Sequence, residues 1–115
     1  MDPARSAPAL SERQLGNLNF HKGQALAFDG DTAAALAAFK LCFRTAEDQN
    51  GFRWNTYLRG TIAFLSKDAS ALQAARDELR EHAENMGNRF NLGKLENFVS
   101  HPEWSYAQAY SQPSK

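Results

Sequence analysis

The sequence predicts an all-α fold: a right-handed helical-repeat stack of two antiparallel helix hairpins, closed by a short C-terminal helical cap. The first observation behind this is internal similarity. Gly23-Gln24-Ala25-Leu26-Ala27-Phe28-Asp29-Gly30-Asp31 returns 37 residues later as Gly60-Thr61-Ile62-Ala63-Phe64-Leu65-Ser66-Lys67-Asp68. Each copy is preceded by an aromatic residue, Phe20 or Tyr57, and followed by an alanine-rich segment. A period in the high thirties belongs to helical repeats, whose hairpins bury their apolar faces only by stacking on a neighbour. The second observation is punctuation, with capping residues and glycines at the expected helix ends.

Residues 1–10, with two prolines and small side chains, predict a flexible lead-in. Ser11-Glu12-Arg13-Gln14 has the form of a capping box, and Leu10 and Leu15 stand at hydrophobic-staple positions, so helix 1 is expected from Glu12 to Phe28. Gly30 suits a left-handed helix end and Asp31 an N-cap, which makes helix 2 the antiparallel neighbour of helix 1. Helix 2 is expected from Thr32 to about Ala46. It is apolar almost all round except for Lys40 and Arg44, and so reads as the central, buried helix. The polar run from Glu47 to Gly51 reads as a turn, with helix 3 from Phe52 to Leu65 beyond it.

Asp68 caps helix 4, expected from Ala69 to about Met86 and ended by Gly87. Ala71, Leu72, Ala75, Leu79, Ala83 and Met86 share one face at intervals of three and four, while Arg76, Asp77, Arg80, Glu81 and Glu84 read as a solvated face. Leu92, Leu95, Phe98 and Val99 mark a short fifth helix, and Pro102 opens a sixth through Trp104, Ala107 and Tyr110. The ordered unit is one domain, residues 11–110, with 111–115 frayed.

Aligned on its glycine and aspartate, the first hairpin resembles a tetratricopeptide repeat. Gly23 falls on that family's glycine, Leu26 on the large residue after it, Ala35 on its alanine, Phe39 on its aromatic and Cys42 on its second small position. Asn19 and Lys22 depart from the pattern, and no proline closes the repeat. In the second hairpin Gly60 and Ala63 conform, but the helix 4 positions align only if one residue is dropped. The stretch around Trp54-Asn55-x-Tyr57 and Thr61 to Leu65 is also similar to small uncharacterised bacterial helical proteins, a resemblance that brings no activity with it.

Thirteen basic residues balance thirteen acidic ones in 115, so no net field gathers nucleic acid or an anionic membrane surface. No run approaches the roughly 20 apolar residues of a membrane span. Nor does the N-terminus carry the apolar core of a secretory signal. A cytoplasmic location is expected, or a periplasmic one if a signal was removed. Cys42 is the only cysteine and reads as a buried hydrophobe.

No catalytic set, metal site or cofactor is expected: His21, His82 and His101 are far apart, and no serine lies in a Gly-x-Ser-x-Gly elbow. Arg53-Trp54-x-x-Tyr57-x-Arg59 has the interleaving of a single-strand nucleic-acid platform, but on an ideal helix the two arginines point about 120° apart. Tetratricopeptide grooves hold peptides or helices on the first helix of each hairpin. The resemblance therefore implies a protein or peptide partner on Asn17, Phe20 and Gln24 of helix 1 and Trp54, Tyr57 and Thr61 of helix 3. A competing reading places Trp54 and Tyr57 beneath the C-terminal helices. The alternatives are a self-assembling homo-oligomer, and a small-molecule binder or enzyme with a pocket near His21 or His82.

Overall fold

The computed structural model describes residues 10–45 and 51–113, and among them it forms six helices and no strand. These are α1 (Glu12–Phe28), α2 (Thr32–Lys40), α3 (Trp54–Leu65), α4 (Ala69–Arg80), α5 (Met86–Ser100) and α6 (Tyr106–Ser111). Residues 1–9, 46–50 and 114–115 lie outside the description. With them go most of the expected lead-in, the last two residues of the tail expected to fray from 111, Ala46 and the turn from Glu47 to Asn50, while Ser111 belongs to α6.

The capping box at the start of α1 forms as the sequence predicts. Gln14 N–H donates to Ser11 Oγ at 3.1 Å, and Ser11 N–H donates to Gln14 Oε1 at 2.9 Å. The two hairpin turns then repeat bond for bond. After α1, Asp31 N–H donates to Leu26 O and Gly30 N–H to Ala27 O; after α3, Asp68 N–H donates to Ala63 O and Lys67 N–H to Phe64 O. This is the Schellman arrangement, with Gly30 at φ 84° and Lys67 at φ 62° as the left-handed residues. Asp31 and Asp68 then cap the following helices by accepting from Ala34 N–H and Ala71 N–H.

Burial along the second arm of each hairpin also keeps the 37-residue spacing without a gap: Ala35 with Leu72, Ala38 with Ala75, and Cys42, just past α2, with Leu79 are all buried. No residue needs to be dropped. The apparent slip came from Phe39, whose counterpart Arg76 leaves the apolar face and pairs with Glu96 on α5 at 2.8 Å.

Several boundaries and roles differ from expectation. Helix α2 ends at Lys40, and its outer side, Thr32, Ala33, Ala37 and Leu41, is exposed. The central element is α3, where nine of twelve residues are buried. Alanine richness misled here, because alanines fill a solvent face as readily as a packed one. Phe52 and Arg53 precede α3 instead of opening it.

Helix α4 stops at Arg80, six residues short of Met86. Gly87 lies inside α5, where an added Cβ would come within 2.8 Å of the Phe52 ring. Asn85 is the true N-cap, accepting from Asn88 N–H at 3.0 Å. It stands 74 residues after Ser11, twice the repeat spacing, so α5 is long and holds the register of a third first helix. It packs on both α3 and α4, and the Phe64 and Phe98 rings stack with centroids 4.3 Å apart. Pro102 opens no helix. It lies in a turn closed by Trp104 N–H to His101 O, and α6 starts after Ser105 with a second capping box to Gln108.

Candidate functional site

The predicted groove residues do meet, but mostly inside the protein. Phe20, Trp54, Tyr57 and Thr61 are buried. The Phe20 ring lies 5.1 Å from those of Phe39 and Trp54 and 6.0 Å from that of Tyr57, forming the junction between the two hairpins. Trp54 Nε1–H donates to Cys42 O at 2.8 Å, and the Arg44 guanidinium covers the indole at 4.2 Å. Asn17 is exposed and accepts from Arg44 Nη2 at 3.4 Å. Thr61 Oγ donates back to Tyr57 O at 3.1 Å, and burial pushes the Tyr57 phenol well above its ordinary pKa. Phe20, Trp54, Tyr57 and Thr61 were expected on an open concave face; in the structure they form core, because the two hairpins pack on one another through these rings and α6 packs alongside.

Gln24, the sixth predicted residue, shows what occupies the rest of that face. Its Nε2 donates to the Tyr106 hydroxyl at 3.2 Å, so α6 lies against α1. Tyr106 and Tyr110 both meet the Phe28 ring edge-on, at 5.3 and 5.7 Å. From α5, Lys94 Nζ donates to Tyr110 O at 2.7 Å, and Asn97 Nδ2 donates to Ala109 O at 3.3 Å and Gln112 O at 2.9 Å. The α1–α5 trough therefore holds a helix, and the helix is the chain's own. Sequence reasoning missed Lys94, Asn97 and Tyr106 as a set. Ser105-x-x-Gln108 repeats the form of Ser11-x-x-Gln14 and could have located α6.

Large apolar side chains stay exposed at Phe28, Met86 and Phe90, and also at the other end of the first hairpin. Leu15 and Leu18 sit one turn apart on α1, and Leu41 and Phe43 follow α2; all four are between 41 and 69 % exposed. Antiparallel packing places these segments together. A Cβ on Gly16 would lie 3.4 Å from Cys42 O, and Thr45 N–H and Oγ both donate to Glu12 Oε1, at 3.1 and 3.2 Å. Leu10 and Leu15, expected to staple the start of α1, are both exposed at this end.

Charge is arranged around single carboxylates. Arg53 and Arg59 both reach Glu78 Oε2, at 3.6 and 3.1 Å, although a helical projection set them apart. Arg53 precedes the helix, so the projection does not apply to it. Thr56 Oγ donates to the same oxygen at 2.6 Å, and this bond leads the arginines in holding the Glu78 pKa below its ordinary value despite partial burial. Arg76 and Arg80 converge in the same way on Glu96, tying α4 to α5, so part of the face expected to be solvated is an interhelical seam.

His21 is exposed, while His82 presents its backbone carbonyl to the buried Asn88 amide. Among the described residues no three His, Cys, Asp or Glu side chains gather as a metal cluster, and no helix is long and apolar enough to cross a membrane. Burial of Cys42 pushes its thiol up to about 11. Comparison of this chain with protein-family models, curated proteins and solved structures finds no match.

Proposed function

We propose that this chain is a non-enzymatic protein-interaction module of tetratricopeptide-like build, which docks a partner helix on the open end of its first hairpin. The observation that carries this reading is the exposure of Leu15, Leu18, Leu41 and Phe43 at one end of one hairpin. Contiguous apolar surface on a small domain marks an interaction site, and in this reading the four side chains make up one. The partner is an amphipathic helix whose apolar stripe covers these four residues, the helix-in-groove mode of recognition. The docking face is thus displaced from the one that the repeat resemblance implied, because α6 and the core take up that one. The bacterial source and cytoplasmic setting implied by the sequence belong to the same reading.

Selection of helical peptides from a displayed library against the whole chain tests it. Selected peptides are expected to lose affinity at least tenfold on Leu18→Glu or Leu41→Glu while the thermal midpoint stays unchanged. Peptides that bind both variants as well as the parent chain would sink the proposal.

A second reading, self-association, draws on the same observation, since Leu41 alone is 69 % exposed. It expects a mass that rises with concentration in light scattering and becomes monomeric with Leu41→Glu. A strict monomer across the range ends it.

A further inference from the structure

The turn between α3 and α4 closes over a cavity of about 170 Å³ that also meets the end of α5. Its walls are apolar: Ala63 and Phe64 from α3, Leu72 from α4 and Val99 from α5. The small side chains leave the space open, and packing behind the large ones keeps it from collapsing. Phe64 is buried and stacks on Phe98 with ring centroids 4.3 Å apart, so its ring is a fixed wall, and Leu72 is buried as well. An apolar cavity of about 150 Å³ is enough to take up benzene. The space here is of that size, and its mouth is framed by the exposed residues Lys67, Gln73 and Pro102.

The mouth carries a feature that closing the helix does not explain. Both hairpin turns need a left-handed residue, and the first uses Gly30, whose would-be Cβ meets nothing within 4 Å. The second uses Lys67, at φ 62°, although a Cβ makes that conformation costly. Backbone strain of this kind gathers at ligand sites, where the residue is kept for what its side chain does. Here the side chain lies across the mouth: Nζ donates to Pro102 O at 3.0 Å and stands 5.4 Å from the Phe64 ring centroid. An ammonium has three donors, so two can serve a ligand. Asp68, the carboxylate of the same turn, is engaged by α4, accepting from Ala71 N–H at 3.1 Å. Lys67 therefore sets the charge at the mouth, and the Gln73 amide there is a further donor.

We propose that this cavity is a binding site for a small monocarboxylate with a benzene-sized apolar body, of which an arylacetate is the simplest case. The body lies against Phe64, Leu72 and Val99, and the carboxylate accepts from Lys67 Nζ at the mouth. A neutral compound of the same shape fills the same space and gains nothing from the ammonium. The site shares no residue with the Leu15, Leu18, Leu41 and Phe43 end, so it stands or falls independently of the partner helix.

Phenylacetate, titrated at neutral pH into the whole nitrogen-15-labelled chain and followed by amide resonances, tests this, with phenylacetamide as its uncharged twin. Saturable shifts are expected at Ala63, Lys67, Leu72 and Val99, with a dissociation constant on the order of 1 mM for so small a ligand. The acid should bind roughly three to five times more tightly than the amide, the worth of one exposed charge contact. Lys67→Gln removes the charge and keeps the left-handed Cβ, and should bind the two compounds equally. Lys67 is exposed, so this variant folds as the parent chain does. Shifts that do not saturate, or that centre on other residues, would overturn the site. Equal binding of acid and amide by the parent chain would overturn it too, as would a preference for the acid that survives in Lys67→Gln.

Discussion

Gly23 and Phe39 are in contact so close that a methyl group cannot stand between them: a Cβ on Gly23 would lie 2.8 Å from two ring carbons of Phe39. The ring cannot swing away, since Phe39 is fully buried and meets Phe20 at 5.1 Å and Tyr106 at 6.4 Å. Gly23→Ala would gain about 1 kcal/mol of helix propensity. Overpacking of a closed core costs roughly 1–3 kcal/mol, with more where backbone must move. The expected net effect is a destabilisation of about 1 kcal/mol or more, read as a lower urea midpoint. An unchanged or higher midpoint would show that the α1–α2 contact relaxes freely.

Asn88 joins three segments with one side chain. Its Oδ1 accepts from Arg53 N–H at 2.8 Å, and its Nδ2 donates to Gly51 O and His82 O, both at 2.9 Å. The residue is fully buried, so Asn88→Ala strands a donor and two acceptors. Each buried orphan costs about 1–3 kcal/mol, and partial rehydration trims the sum. A loss of roughly 2–4 kcal/mol is expected in equilibrium denaturation. A loss below about 1 kcal/mol, the worth of one ordinary hydrogen bond, would mean that water replaces the amide.

Lys67 holds the left-handed position that Gly30 holds in the first hairpin. For a residue with a Cβ that conformation costs about 1–2 kcal/mol. Its exposed bond to Pro102 O returns less than this, because a solvated contact of this kind contributes little. Lys67→Gly is therefore expected to raise the stability by roughly 0.5–1 kcal/mol, with the gain reduced by the extra freedom of an unfolded glycine. A fall in thermal midpoint would assign the Lys67 side chain a larger structural role than the geometry supports.

Glu78 gives the fold an acid limb. Thr56 Oγ, Arg59 and Arg53 lower its folded-state pKa beneath the ordinary 4.5. Because the folded value is the lower one, the contribution is fully present above the unfolded pKa and is lost as pH falls through the folded value. Thr56→Val removes the leading cause without changing the shape of the side chain. The urea midpoint of this variant should fall less steeply with pH below 4.5 than that of wild type. Parallel curves would remove Thr56 as the source of the effect.

Local chemistry settled much of the fold in advance. Ser11 and Gln14 close α1, Gly30 and Asp31 turn the first hairpin, and Asp68 opens α4, because caps and turns depend on residues within a few positions of one another. Registers that need a partner helix were not legible. Gly23 and Gly60 look equivalent in sequence, yet Gly23 admits Phe39 from its own hairpin, while Gly60 faces Leu95 of α5 at 2.6 Å from its would-be Cβ. Gly87 reads as the end of a helix when it lies inside the next one, since the Phe52 ring that explains it lies 35 residues earlier.

The six proposed groove residues divide in the same way. The sequence expected Phe20 and Tyr57, 37 residues apart, to meet, and their rings do, 6.0 Å apart. Whether that meeting faces solvent depends on α6, whose Tyr106 reaches back 82 residues to Gln24. The sequence by itself determined the all-helical class, the opening of α1 and the two hairpin turns, all of which rest on short-range bonding. Only the tertiary structure decided which aromatic face is core and which apolar end stays open, because exposure is set by what packs from elsewhere in the chain.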